Sequence, residues 1–199
     1  MAVRSIKRSL YSSNPQKYQS FLAGNDAYVP PSFESIATAT GTGSSNTITF
    51  SSIPSGFKHL QLRGYTYGSG GGASNARITF NSDSSSNYAI HQLYGDGSSV
   101  TATGYSSQAF AHYSVYNSSA GSANGIPVTI VDILDYGSTS KYKTIRVLSG
   151  YDNNGSGRIY VYSGLWMSTN AITSFDLKNA DGENWSTDTR YALYGIKEA

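Results

Sequence analysis

The chain has 199 residues, no cysteine, a formal net charge of +2 and only 13% charged residues. The lack of cysteine excludes disulfide bonds, thiolate metal sites and cysteine nucleophiles. No run of about 18 apolar residues is present, and the basic N-terminus has no apolar segment, so we expect neither a membrane span nor an export signal.

The first 30 residues differ from the rest of the chain in charge. Residues 1–30 hold four basic residues and one acidic residue, a net charge of +3, whereas residues 31–199 hold ten basic and eleven acidic residues, a net charge of −1. Ile6 and Leu10 have helical spacing, but Pro15 ends any helix that they begin. We therefore predict an extended N-terminal arm with its own partner.

This arm carries the predicted partner-binding residues. Its apolar side chains are too numerous for a freely disordered tail. They either pack on the arm's own domain or, in the interpretation we favour, lie across a neighbouring subunit. The predicted partner-binding residues are Arg4, Ile6, Lys7, Arg8, Leu10, Tyr11 and Phe21.

Residues 31–199 are predicted to form one all-β domain, since they are long enough to bury a substantial core. Short runs of β-branched and aromatic residues alternate with connectors rich in Gly, Ser and Asn, including residues 68–74, 95–104 and 117–125. We predict a two-sheet antiparallel β-sandwich, with a jelly roll as the preferred topology. The eleven predicted strands are Phe33–Ala39, Thr47–Ser51, His59–Thr66, Ala76–Asn81, Tyr88–Tyr94, Ala109–Tyr116, Val128–Leu134, Thr144–Leu148, Arg158–Met167, Ile172–Leu177 and Tyr191–Ile196.

Residues 127–166 are predicted to form the centre of this domain. They read as three strands joined by two polar turns, which is a meander. Side chains alternate along a strand, and the first of these strands is apolar on both faces, so we predict that both of its faces are buried. The predicted core residues are Ile130, Val131, Ile133, Ile145, Val147 and Leu165.

Few polar residues have the spacing that catalysis or metal binding needs. His59, His91 and His112 fall in separate predicted strands. Asp132 and Asp135 are three residues apart, so on a strand they would point to opposite faces and would not form the carboxylate pair of a glycoside hydrolase. We interpret Asp135 as a turn residue.

The loop that begins at Asp152 resembles the start of a calcium-binding loop. Its twelfth position is Ser163 in place of the glutamate that such a loop requires, so a polar hairpin turn is the preferred interpretation. No nucleophile elbow, zinc-protease, phosphate-binding or dinucleotide-binding motif is present. We expect no enzyme activity, no cofactor, and no nucleic-acid or membrane partner.

Several segments resemble the small structural proteins of tailed-bacteriophage virions, especially those of marine and cyanobacterial phages. The resemblance is carried by FESIATATGTGSSNTITFSSIPSGFKHLQLRG at 33–64, DILDYGSTSKYKTIRVLSG at 132–150, TRYALYGIKEA at 189–199, and the basic opening MAVRSIKRSLY. It implies a virion component, such as a capsid cement (decoration) protein, assembled in the host cytoplasm and placed on the capsid exterior. The implied partner is the major capsid protein, and the expected oligomer is a trimer.

Two other functions stay open at this point. One is a component of the tail or tail fibre that binds host-surface glycan through aromatic platforms such as Trp166 or Trp185. The other is an enzyme that acts on glycan, which is the least favoured. Copy number in the particle separates a shell protein from a tail protein.

Overall fold

The computed structural model describes residues 32–68, 73–117, 126–152 and 154–197. The predicted arm and its seven partner-binding residues lie outside this part of the chain. The described residues form twelve β-strands and no helix, and therefore no helix that could cross a membrane. The strands are β1 (Phe33–Thr40), β2 (Thr47–Phe50), β3 (His59–Tyr65), β4 (Ala73–Phe80), β5 (Tyr88–Gly95), β6 (Val100–Gln108), β7 (Ala111–Asn117), β8 (Val128–Ile133), β9 (Lys143–Asp152), β10 (Gly157–Trp166), β11 (Phe175–Asn179) and β12 (Arg190–Ile196).

The strands form two antiparallel sheets, which confirms the predicted β-sandwich. The larger sheet has eight strands in the order β1-β12-β3-β8-β9-β10-β5-β6, and the smaller sheet has four in the order β2-β11-β4-β7. Strand β7 of the smaller sheet contacts β8, β9, β10 and β5 of the larger one. The core lies between the sheets, and the smaller sheet covers only one face of the larger.

The central meander is confirmed, because β8 pairs with β9 and β9 pairs with β10 in antiparallel register. Asp135 has a φ of 48°, and its carbonyl accepts a hydrogen bond from the Ser138 amide at 2.9 Å, which confirms its role in a turn. The second turn uses the Asp152 carboxylate, which accepts a hydrogen bond from the Asn154 amide at 2.8 Å. Gly155 follows with a φ of 104°, a conformation that glycine adopts easily.

The predicted core is correct for one face of the meander and wrong for the other. Val131, Ile133, Ile145 and Val147 are buried, as predicted. Ile130, also predicted to be buried, is 38% exposed, because it points to the outer face of the larger sheet. Leu165, on the same outer face, is only half-buried.

Strand β6 was not predicted, because much of it falls in residues 95–104, which read as a polar loop. The strand consists mainly of Ser, Thr, Ala and Gly, so its local β-propensity is weak. Backbone hydrogen bonds to β5 hold this strand in the sheet, and its own sequence does not indicate that pairing. Strand β11 begins at Phe175, three residues later than predicted, while Ile172 is buried outside any strand.

Candidate interaction surface

Alternate side chains of β8, β9, β10, β5 and β6 point away from the core. On β9, Ile145 and Val147 face the smaller sheet and are buried, whereas Leu148 points outward and is 49% exposed. On β10, Tyr160 and Tyr162 are buried, whereas Val161 between them is 45% exposed. Each strand therefore places apolar side chains on both faces, although the smaller sheet covers only one of them.

Strand register aligns these outward side chains into a first row across five strands. Ile130 on β8 lies opposite Leu148 on β9, and Leu148 lies opposite Val161 on β10. Val161 lies opposite Leu93 on β5, and Leu93 lies opposite Ala102 on β6. Side chains directly opposite each other on one face of neighbouring strands touch, so the row is a continuous apolar band.

A second row runs parallel to the first, two residues away from it on each strand. Its members, in order across the sheet, are Val128, Gly150, Ile159, Gly95 and Val100. The two glycines carry no side chain, so the surface is low at those points. We call the two rows together the apolar face.

The apolar face holds seven of the eleven large apolar side chains that are exposed among the described residues. These seven are Val128, Ile130, Leu148, Ile159, Val161, Leu93 and Val100. Apolar side chains scattered singly over a surface are normal, but a contiguous group of this size is a candidate site of association. The face is a broad surface and not a cleft, so it suits another protein better than a small molecule.

Charged side chains flank the apolar face along β9. Arg146 and Asp152 are both exposed and point outward, one at each end of the apolar positions of this strand. Asp132 on β8 lies opposite Arg146, and its carboxylate accepts a hydrogen bond from Gln61 Nε2 at 2.7 Å. The face thus has an apolar centre and a partly charged rim, which is the usual composition of a protein interface.

A groove of about 560 Å³ borders the apolar face on β1, β12, β3 and β8. Val128 lines both the groove and the apolar face, and Arg190 and Tyr65 line the rest of this border. The Arg63 guanidinium lies 5.2 Å from the ring centre of Phe33, and its Nε donates to Gln61 Oε1. The groove therefore extends the outer surface with aromatic and cationic groups.

The three histidines are not brought together. His59 Nδ1 accepts a hydrogen bond from the Asp135 amide at 3.0 Å, and His91 is exposed on the outer face of β5. His112 lies on β7, where burial and then the charge of Arg77 lower its pKa to about 4. Among the described residues, no group of three histidine or carboxylate side chains could hold a metal ion.

Four carboxylates of the sheets and turns bind neighbouring groups. Asp135 forms ion pairs with Lys58 and Lys141, at 3.2 and 3.4 Å. Glu34 forms an ion pair with Lys197 at 2.6 Å, and Asp176 accepts a hydrogen bond from the Thr49 hydroxyl at 2.7 Å. Together with the Asp132–Gln61 contact, these bonds give each carboxylate a role in holding strands and turns.

The predicted aromatic platforms for glycan are wrong, because Trp166 and Trp185 are both buried. Trp166 Nε1 donates to Asp83 Oδ2 at 2.7 Å, and Trp185 Nε1 donates to the Leu177 carbonyl at 3.1 Å. Desolvation alone would raise the pKa of Asp83, but hydrogen bonds from Trp166, Asn87 and Ser85 outweigh it and lower the pKa to about 2. Both indoles therefore serve the core.

Comparison with protein-family models, curated proteins and solved structures gives no match for this chain.

Proposed function

We propose that the protein is a non-enzymatic structural component of a tailed-phage virion, and specifically a capsid cement protein. The observation that carries the proposal is the apolar face, a broad apolar surface across five neighbouring strands. A protein with such a surface gains free energy by covering it with another protein. The sequence resemblance to phage virion proteins supports a virion as the setting.

We also infer that the sandwich is a jelly roll with two added hairpins. Strands β1-β12-β3-β8 in one sheet and β2-β11-β4-β7 in the other give eight strands, and the chain alternates between the sheets along β1, β2, β3 and β4. This order supports a jelly roll, which consists of eight strands in two sheets. The hairpins β5-β6 and β9-β10 widen the larger sheet beyond those eight strands, and they carry most of the apolar face.

Cement proteins act by adding contact area between coat subunits. Burying surface between two neighbouring coat subunits stabilises the assembled shell by mass action, since the protein binds the assembled state and not separated subunits. In this proposal the arm supplies the contact with the shell. Arg4, Lys7 and Arg8 would meet acidic groups of the major capsid protein, and Leu10 and Phe21 would fill grooves between coat subunits.

The test is the number of copies in purified virions, measured by quantitative mass spectrometry against the major capsid protein. A cement protein on the capsid exterior is expected in hundreds of copies per particle. A dozen copies or fewer would assign the protein to the tail or a tail fibre. Absence from the particle would overturn the virion assignment itself.

A further inference from the structure

We propose that the apolar face is a two-fold interface, in which a second copy of this chain packs the same face against it and Arg146 of each copy pairs with Asp152 of the other. The proposal rests on the proposed function only in treating the apolar face as an assembly surface, and it leaves capsid binding to the arm and to surfaces outside this face. It replaces the expected trimer with a dimer as the unit that forms through this face.

The order of outward residues on β9 carries the argument. Arg146, Leu148, Gly150 and Asp152 are four successive outward positions, so a cation and a carboxylate stand at equal distances from the point between Leu148 and Gly150. We place a two-fold axis over that point, parallel to the sheet and perpendicular to its strands. This axis sets β9 of one copy antiparallel to β9 of the other, face to face. It places each Arg146 over the other copy's Asp152, which is the self-complementary arrangement that an isologous interface requires.

On two of the five strands the same axis matches a leucine with a glycine, and on β8 and β10 it sets Ile130 over Val128 and Val161 over Ile159. It runs between the first and second rows, so Leu148 of one copy lies over Gly150 of the other. On β5 it places Leu93 over Gly95 in the same way. Interfaces pack as densely as protein interiors, and a leucine seated over a glycine fills the space that the glycine leaves between the two sheets.

The available area fits a weak dimer. The apolar face spans five strands spaced about 4.8 Å apart, a width of about 24 Å, and the seven residues from Arg146 to Asp152 span about 20 Å along the strands. The face therefore covers about 480 Å² per copy and about 1,000 Å² for two copies, close to the lower limit for a biological interface. Aligned packing of two sheets is an established arrangement for apolar sheet faces.

Charge distinguishes a second copy from the N-terminal arm as the occupant. The exposed Arg146 and Asp152 stand at a fixed distance from each other, so an occupant that presents a carboxylate and a cation at the same spacing matches both. Residues 1–30 have a net charge of +3 and a single carboxylate, Asp26. A second copy supplies both charges at the required spacing, because it presents the same strand in reverse.

The test uses the full chain and two charge reversals, Arg146→Asp and Asp152→Arg. Sedimentation equilibrium at low salt should give the wild type a mass of twice 21.3 kDa. Each single variant places like charges together twice in its own dimer, so its dissociation constant should rise about tenfold or more. An equimolar mixture should associate again, since a mixed dimer restores both opposite-charge pairs.

Three controls separate interface effects from folding. Lys178→Glu reverses a charge on the smaller sheet and should leave the dimer unchanged. Asp152→Asn keeps an oxygen for the Asn154 amide, so it should weaken association less than Asp152→Arg and should not rescue Arg146→Asp. Leu148→Asp should abolish the dimer with an unchanged circular-dichroism melt, because Leu148 is outside the core.

The proposal is overturned by a wild type that is monomeric at every concentration, by a mixture that fails to associate, or by a Leu148→Asp variant that dimerises normally. A monomer that binds undecorated capsids would overturn the dimer and leave the cement function standing. A dimer that does not bind undecorated capsids would support this inference and overturn the cement function.

Discussion

The hydroxyl groups of Tyr113 on β7 and Tyr191 on β12 lie 2.8 Å apart and join the two sheets through a buried hydrogen bond. The Tyr191 hydroxyl also bonds the Thr66 hydroxyl at 2.7 Å. All three residues are buried. Removing one partner from such a group takes one hydrogen bond from each of the others in an environment that water does not reach.

Tyr191→Phe should therefore lower the free energy of unfolding by about 1–3 kcal/mol, since it deprives Tyr113 and Thr66 of a partner. Urea denaturation at pH 7 measures the change. Tyr142→Phe is the matched control, because Tyr142 is exposed and should show no effect. Equal stability of the two variants would show that the link between the sheets contributes nothing.

Tyr191 should also affect the stability of the fold at alkaline pH. Burial raises the pKa of Tyr191, and it also raises the pKa of Tyr88 and Tyr162. A group whose pKa is raised on folding stabilises the protein fully below its unfolded pKa of about 10, and this contribution is lost as pH rises above that value. Stability should thus fall steeply above about pH 10, and less steeply in Tyr191→Phe, as measured by thermal melts from pH 8 to 12.

The two faces of β8 give a matched pair of core substitutions. Ile133 is fully buried, whereas Ile130 points to the apolar face. Ile133→Ala should cost roughly 2–5 kcal/mol by leaving a cavity, and Ile130→Ala should cost less than about 1 kcal/mol. Chemical denaturation compares them directly. A melting temperature for Ile133→Ala within a degree of the wild type would contradict the central position of this strand.

The lowered pKa of His112 should make the stability of the fold depend on pH in mild acid. Burial and then the nearby Arg77 lower its pKa to about 4, whereas an unfolded histidine titrates near 6.5. Between these values the unfolded chain binds a proton that the folded chain does not, so stability is complete above about pH 6.5 and falls as pH decreases to about 4. The loss should reach about 3 kcal/mol, given about 1.4 kcal/mol for each pKa unit.

Unfolding free energies of the wild type and His112→Gln at pH 7.5 and 4.5 test this prediction. The glutamine variant should lose less stability between the two pH values, since it has no imidazole to titrate. His91→Gln is the control, because His91 is exposed and the variant should keep the wild-type decline. A decline of the same size in His112→Gln would assign the acid sensitivity to other groups.

The sequence was sufficient to predict the sandwich, because the period-two pattern and the turn residues of the meander are local features. It could not show which face of β8 is covered, since Val131 and Ile130 are equally apolar and only the position of the smaller sheet distinguishes them. The burial of Trp166 depends in the same way on distant contacts, among them Asp83 and Phe80. The apolar face arises from register across five strands, and register is not a local property.

The charge and the apolar side chains of residues 1–30 should contribute differently to capsid binding. Their charge of +3 should mainly assist encounter with an acidic shell, so replacing Arg4, Lys7 and Arg8 with glutamine should slow association and reduce its dependence on salt. Ile6, Tyr11 and the other apolar side chains of the arm should provide most of its affinity, because a small number of buried anchors supplies most of the binding free energy in a typical interface. Surface plasmon resonance on immobilised undecorated capsids measures both effects.

Removal of the arm distinguishes the two interpretations of this segment. If it reaches a neighbouring subunit, a chain lacking residues 1–28 should keep the wild-type melting temperature and lose binding to undecorated capsids. An arm that packs on its own domain has the opposite consequence, since deletion then removes contacts that stabilise the fold. A variant that melts at a lower temperature and binds capsids as tightly as the full chain would therefore contradict the partner-binding role of Arg4, Ile6, Lys7, Arg8, Leu10, Tyr11 and Phe21.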